Sequence, residues 1–182
     1  MPATPLKFGT EMIHDPALGG LERNYVRFFG VPILGMRIRA RYLLPLIDSL
    51  RSLNPRRILD AGSGRGLFTF YLAKTFPQAD VLGIDLDEEA IRRNNRTARA
   101  CGLTNCRFEV MDVRSLAQAE VRYDLILSVD NLEHLEEDQA QCHVFFESLA
   151  PGGRMIVHTP HIPRNLFGWR RPNFMGIEGH VR

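Results

Sequence analysis

The stretch that most constrains this chain is Ile58-Leu-Asp-Ala-Gly-Ser-Gly-Arg-Gly66. A short apolar run stops at three glycines spaced G-x-G-x-G, and a helical pattern begins at once. That join places a tight turn between a buried strand and a helix. The first N–H groups of such a helix are free to face an anion. Leu67 stands where the dinucleotide fingerprint has its third glycine, so the spacing departs from that motif. A glycine turn can also be purely structural, and its meaning depends on the rest of the chain.

From residue 56 onward strands and helices alternate. Arg57–Asp60 reads as the first strand and 66–76 as the helix after it, with Leu67, Phe70, Tyr71 and Ala73 toward the sheet. Pro77 ends that helix. Asp80–Asp85 is the second strand. A helix follows near 87–102, opened by Asp87, Glu88 and Glu89 at its positive end and closed by Gly102. Cys106–Asp112 alternates as a third strand. Tyr123–Asp130 is a fourth, nearly continuous in apolar residues after Asp124, as expected of a strand buried on both faces. A helix near 137–149 stops at Pro151-Gly152-Gly153, and Arg154–Thr159 is the fifth strand. This pattern predicts an α/β fold: a Rossmann-like doubly wound sheet with at least five parallel strands. Three segments follow: an N-terminal helical extension over 1–55, the alternating domain over 56–160, and a connection over 161–182 without periodicity. In the extension the clearest helix is Arg37 to Leu53, which Pro45 is expected to kink or split.

A chain of 182 residues, 45% apolar and 24% charged, makes one ordinary globular domain. Disordered, collagen-like and low-complexity classes are excluded. No apolar run reaches the roughly 18 residues of a membrane helix, and the N-terminus has no secretory pattern. Cys101, Cys106 and Cys142 form no CxxC pair and read as reduced thiols of a cytoplasmic protein. Charge is uneven: residues 1–57 carry 9 Lys/Arg against 4 Asp/Glu, 58–153 carry 9 against 16, and 154–182 carry 5 against 1. Basic ends flank an acidic middle. They either dock on it or meet an anionic partner.

In an open parallel sheet, ligands bind beyond the carboxyl ends of the strands. Three such ends carry suitable residues. The first is the glycine turn. The second is Asp85, 23 residues after Gly62, where a carboxylate can accept from both ribose hydroxyls. Asp85 could instead cap the next helix, but Asp87 is the better candidate for the cap. The third is Asp112, which can accept from an exocyclic adenine amine, beside the N–H of Val113.

These stretches, with Tyr123-Asp-Leu-Ile-Leu-Ser-Val-Asp130 and Leu149-Ala-Pro-Gly-Gly153, stand in the order seen in one family. Over residues 56–160 the chain resembles the class I S-adenosylmethionine-dependent methyltransferases. The subset most similar is the small-molecule group like the quinone-biosynthesis enzymes (methyltransferase type 11). The resemblance implies S-adenosyl-L-methionine as cofactor and S-adenosyl-L-homocysteine as product. It implies that Asp60, Gly62 and Gly64 hold the methionine part, that Asp85 meets the ribose, and that Asp112 and Val113 meet the adenine. Ala61, Ser63, Gly66, Leu86 and Met111 fall in the same cofactor set, and Ser128 lines the methyl-transfer side. Similar enzymes continue past the fifth strand with a helix and a hairpin that complete a seven-stranded sheet. Here the chain stops at Gly179-His-Val-Arg182. The hairpin is therefore expected to be missing, which leaves open whether the shortened chain is active. In the family, extensions like 1–55 often cover the substrate.

The candidates for catalysis are Asp130 and His134, in the turn after the fourth strand. His134 can act as a base near neutral pH. Asp130, Glu133 and His134 are also similar to a magnesium-binding set in some O-methyltransferases, which His158 or His161 could complete. A metal-free packing role for these residues is the alternative, and no metal is the preferred expectation. Arg39, Arg41, Arg164, Arg170 and Arg171 could recognise an anion or simply face solvent. Leu166, Phe167, Trp169 and Phe174 could wall the acceptor or cover the core.

The expected partner is a small-molecule acceptor. The turn after the fourth strand lacks the Pro-Pro-aromatic and Pro-Cys features of base-methylating enzymes, so nucleic acid is not expected. Two other functions remain: a non-catalytic cofactor-binding module, and a nicotinamide-dependent oxidoreductase, which Asp85 suits but the glycine spacing does not.

Overall fold

The alternating segments pair edge to edge in a computed structural model that describes residues 7–135 and 137–160. Five strands make one parallel sheet: β1 (Arg57–Ala61), β2 (Asp80–Asp85), β3 (Cys106–Val110), β4 (Tyr123–Val129) and β5 (Leu149–His158). Their spatial order is β3-β2-β1-β4-β5. The order reverses between β1 and β4, so a crevice opens there above the carboxyl ends.

Alternation along the strands sends successive side chains to opposite faces. Ile58, Leu125 and Leu127 join one core with Leu67, Phe68, Phe70 and Leu72 of α3 (Leu67–Thr75) and Ile91 and Ala98 of α4 (Glu88–Ala100). Leu59, Ile84 and Ile126 join the other, with Leu116 and with Phe145 of α5 (Asp138–Glu147). The N-terminal segment belongs to the first core. Phe8 and Met12, Val26 of α1 (Gly20–Phe29), and Ala40, Leu43, Leu44 and Ile47 of α2 (Leu34–Ser49) are all buried there. The Val31 N–H donates to the Phe8 carbonyl at 2.7 Å and closes this segment on itself.

Three sequence expectations need correction. Pro45 does not split α2, which runs through it to Ser49. Pro45 is exposed, so the carbonyl it leaves unpaired can meet water, while burial of Leu43, Leu44 and Ile47 holds the other face. The helix before β5 ends at Glu147, and β5 already begins at Leu149. Pro151-Gly152-Gly153 is therefore an irregularity inside the strand, where the register passes from Tyr123↔Leu149 to Leu125↔Arg154. A Cβ on Gly153 would stand 2.9 Å from the Ala150 carbonyl oxygen, so the bulge requires glycine there. Finally, α1 was not visible in the pattern, because only Val26 of its ten residues is buried.

All three cysteines are free, and burial pushes the Cys106 thiol up to about 11. Among the described residues no helix is long and apolar enough to cross a membrane. Expectations on His161, Arg164, Leu166, Phe167, Trp169, Arg170, Arg171 and Phe174 lie outside the described residues.

Candidate functional site

A cavity of about 650 Å³ lies at the strand-order reversal. Its floor comes from three successive turns: Asp60, Gly62, Ser63 and Gly64 after β1; Asp85 and Leu86 after β2; Met111, Asp112 and Val113 after β3. Val129, Asp130, Asn131 and His134 follow from β4, and Ile33, Met36 and Arg39 of the N-terminal segment form the roof. Three expected residues are not on the wall. Ala61 and Ser128 are fully buried in and beside the core. Gly66 starts α3 with φ 73°, where a Cβ would meet the Phe108 ring at 2.9 Å, so its glycine serves packing.

The glycine turn is held by Asp85. Its Oδ2 accepts the Gly64 N–H at 2.7 Å and its Oδ1 accepts the Asp87 N–H at 3.0 Å. The helix cap falls on Asp87, whose Oδ1 accepts from Glu89 and Ala90. Asp85 is thus left to brace the turn and border the cavity. Gly62 has φ 79°, and a Cβ there would lie 2.7 Å from the Asn131 side chain. Gly64, with φ 47°, has nothing within 4 Å of its missing Cβ. The backbone is therefore bare where a ligand would approach. Ser63 is buried, and its Oγ has no partner among the described residues. An orphaned hydroxyl on a cavity wall is a vacancy for a ligand hydrogen bond.

Asp60 is 2% exposed, and its Oδ2 accepts the Thr69 hydroxyl at 2.6 Å. Burial raises its carboxyl to about 7. The Thr69 hydrogen bond opposes the rise, and the Asp85 charge adds to it. A carboxyl raised by burial at a cavity wall is poised to ionise against an incoming cation. Asp112 stands in contrast. The Arg114 guanidinium beside it, although burial opposes, holds its carboxyl below the usual range. Asp112 Oδ1 also accepts the Arg114 N–H at 2.9 Å and starts the turn over Val113–Gln118. Only its remaining lone pairs are open to a ligand.

The turn after β4 is arranged differently from the Asp130–His134 pair considered above. Asp130 Oδ1 meets Nδ1 of His158, at the end of β5, at 2.8 Å, and its Oδ2 is ion-paired with Nε of Arg39 from α2. Glu133 is 7% exposed and off the cavity wall, whereas His134 is exposed and on it. Among the described residues no group of three His, Cys, Asp or Glu could hold a metal ion. Sequence reasoning missed Ile33, Met36 and Asn131 as wall residues. The two apolar ones carry no sign of position until α2 is seen packed on the sheet.

The family model described as a methyltransferase domain matches residues 54–174. Among curated proteins, the chain is 34% identical over 127 residues to phosphoethanolamine N-methyltransferase 1 of Triticum aestivum, covering 66% of this chain and 25% of that protein. It is 35% identical over 115 residues to trans-aconitate 2-methyltransferase of Deinococcus radiodurans, covering 61% and 42%. The chain thus spans less than half the length of these relatives. Among solved structures, the N-terminal domain of EvdMO1 with SAH bound is 27% identical, with a TM-score of 0.52, over 58% of this chain and 45% of that one.

Proposed function

The chain belongs to the methyltransferase-domain family, and from that premise we propose that it transfers a methyl group from S-adenosylmethionine to a small-molecule acceptor. The observation that carries this reading is the glycine turn braced by Asp85 in the floor of the cavity of about 650 Å³. The bare Gly64 backbone and the orphaned Ser63 hydroxyl fit a ligand rich in polar groups. Relatives that methylate phosphoethanolamine and trans-aconitate support a small-molecule acceptor.

When bound, the cofactor supplies an electrophilic methyl group on a sulfonium sulfur. The chain's own residues bind and orient. Asp60 holds the cationic amino end, with the Gly62 and Gly64 backbone beside it. Asp85 takes the ribose hydroxyls, and Asp112 with the Val113 N–H takes the adenine. Leu86 and Met111 add apolar wall. Transfer is an in-line displacement, so alignment and exclusion of water dominate. Alignment alone can be worth roughly 7–11 kcal/mol in well-oriented systems. Residues 56–160 serve as the cofactor unit, and Ile33, Met36 and Arg39 of the N-terminal segment roof the acceptor side. A cytoplasmic setting belongs to this reading, supported by the three free cysteines.

The test is transfer of label from methyl-labelled S-adenosylmethionine by the full chain. The acceptors offered are phosphoethanolamine, an amino sugar, catechol and trans-aconitate. Label in at least one small-molecule product is expected. Cofactor binding without transfer to any of them favours the non-catalytic module.

A further inference from the structure

We propose that His158 is the proton acceptor of the transfer step, with Asp130 and Arg39 as its positioning residues; this rests on the methyl-transfer reading. The proposal names the acceptor class as a hydroxyl or an amine that must lose a proton.

The geometry starts from the backbone. β4 and β5 pair through Val129↔His158, and the Asp130 N–H donates to the His158 carbonyl at 2.9 Å. Asp130 takes φ 52°, a left-handed conformation that an aspartate adopts at some cost. Its side chain is then fixed from both sides. The His158 ring sits against Oδ1 at 2.8 Å, and the Arg39 guanidinium is ion-paired with Oδ2. A carboxylate paired with a guanidinium and in contact with an imidazole does little as a base. It does fix the imidazole: Nδ1 must carry the hydrogen that faces Oδ1, which leaves the lone pair on Nε2. His158 is 32% exposed, and among the described residues Nε2 has no partner. Orientation of an imidazole by a carboxylate at Nδ1 is the arrangement that makes Nε2 a general base. Arg39 passes close over Gly35, one turn earlier in α2, on its way to Asp130.

Asp130 and Arg39 line the cavity, and the His158 ring meets that wall through its contact with Asp130. Among the described residues, the charged groups facing it are Asp130 from the turn after β4 and, through Asp130, Arg39 from α2. Its chain neighbours Val157 and Thr159 and its pairing partner Val129 are uncharged. In the step, the acceptor's oxygen or nitrogen lone pair forms the new bond to the methyl carbon. The electron pair of the S–CH3 bond leaves with sulfur as a neutral thioether. The acceptor's proton passes to Nε2, and the imidazolium is balanced by Asp130 until it releases the proton to water.

The discriminating substitution is His158→Asn in the full chain. The asparagine amide can donate to Asp130 as Nδ1–H does, but it cannot take a proton. The expected result is a loss of about 10²–10⁴-fold in kcat toward catechol or phosphoethanolamine. The parent's rate is expected to fall at low pH, and that fall should disappear in the variant. S-adenosylhomocysteine affinity, by calorimetry, should stay within a few-fold. His134→Gln should cost less than His158→Asn. Near-parental kcat in His158→Asn overturns the proposal, because it shows that donation to Asp130 was the whole role. So does binding of S-adenosylhomocysteine with transfer to no hydroxyl or amine, or to trans-aconitate alone. Failure of the folded chain to bind S-adenosylhomocysteine overturns instead the reading beneath it.

Discussion

Asp60 is the residue whose chemistry reaches furthest. It is buried against the sheet, with Thr69 as its hydrogen-bond donor, and its carboxyl sits near 7 rather than 3.8. The folded state therefore binds more protons than the unfolded state between about pH 4 and 7. Stability falls as pH rises across that window and is level above it. Asp60→Asn keeps an acceptor for Thr69 and removes the ionisation. In urea denaturation of the cofactor-free chain, the variant should exceed the parent by roughly 2–4 kcal/mol at pH 8. The gap should shrink toward pH 4, and an equal gap at both pH values contradicts the assignment. The same variant should bind S-adenosylhomocysteine more weakly. Binding by the parent near pH 7 should release a proton, read from calorimetry in buffers of different ionisation enthalpy. At this scale the sequence was informative where the backbone itself makes the site. Glycines and strand-end aspartates announce a turn and a carboxylate edge. It was silent on the Asp60–Thr69 hydrogen bond, which joins separate elements, and it grouped His158 with Asp130 only as a possible metal set, not as a directly bonded pair.

Among the elements, α2 shows how tertiary burial outweighs local preference. Pro45 interrupts its hydrogen-bond ladder, yet the helix persists because Leu43, Leu44 and Ile47 are buried on the inner side. Pro45→Ala should restore the missing bond on the exposed side. The expected gain is about 1–3 kcal/mol in chemical denaturation, offset in part by a looser unfolded chain. Cofactor affinity should not change, since Pro45 is not on the cavity wall. The strands were the most readable elements. β2 was placed to its ends, since Asp80-Val-Leu-Gly-Ile-Asp85 is apolar between two carboxylates. The Pro-Gly-Gly before Arg154 misled because the same residues that stop a helix also form a bulge. The ladder that resolves the two meanings lies on β4, far away in sequence. α1 was passed over for a different reason. Leu21, Tyr25 and Phe28 keep helical spacing, but that stripe faces outward, so it marks no core.

For the whole molecule, the sheet order sets the division of labour. Asp60, Asp85 and Asp112 end three neighbouring strands on one side of the reversal, and Asp130 and His158 end two on the other. The first group borders the cavity, and Asp130 of the second lines the same cavity from the other side. The N-terminal segment shares its core with α3 and α4 and extends Arg39 to Asp130, so it joins the two sides. That overall plan was readable from the order of motifs alone. The roof was not, because residues 1–55 carry no motif. The most direct test of the central claim is calorimetric titration of the full chain with S-adenosylhomocysteine, with NAD as control. The account predicts micromolar or tighter binding of S-adenosylhomocysteine, weakened at least about tenfold in Asp85→Ala, which removes both the ribose contact and the brace on Gly64. A folded chain that binds NAD in preference, or whose S-adenosylhomocysteine affinity is untouched by Asp85→Ala, contradicts it.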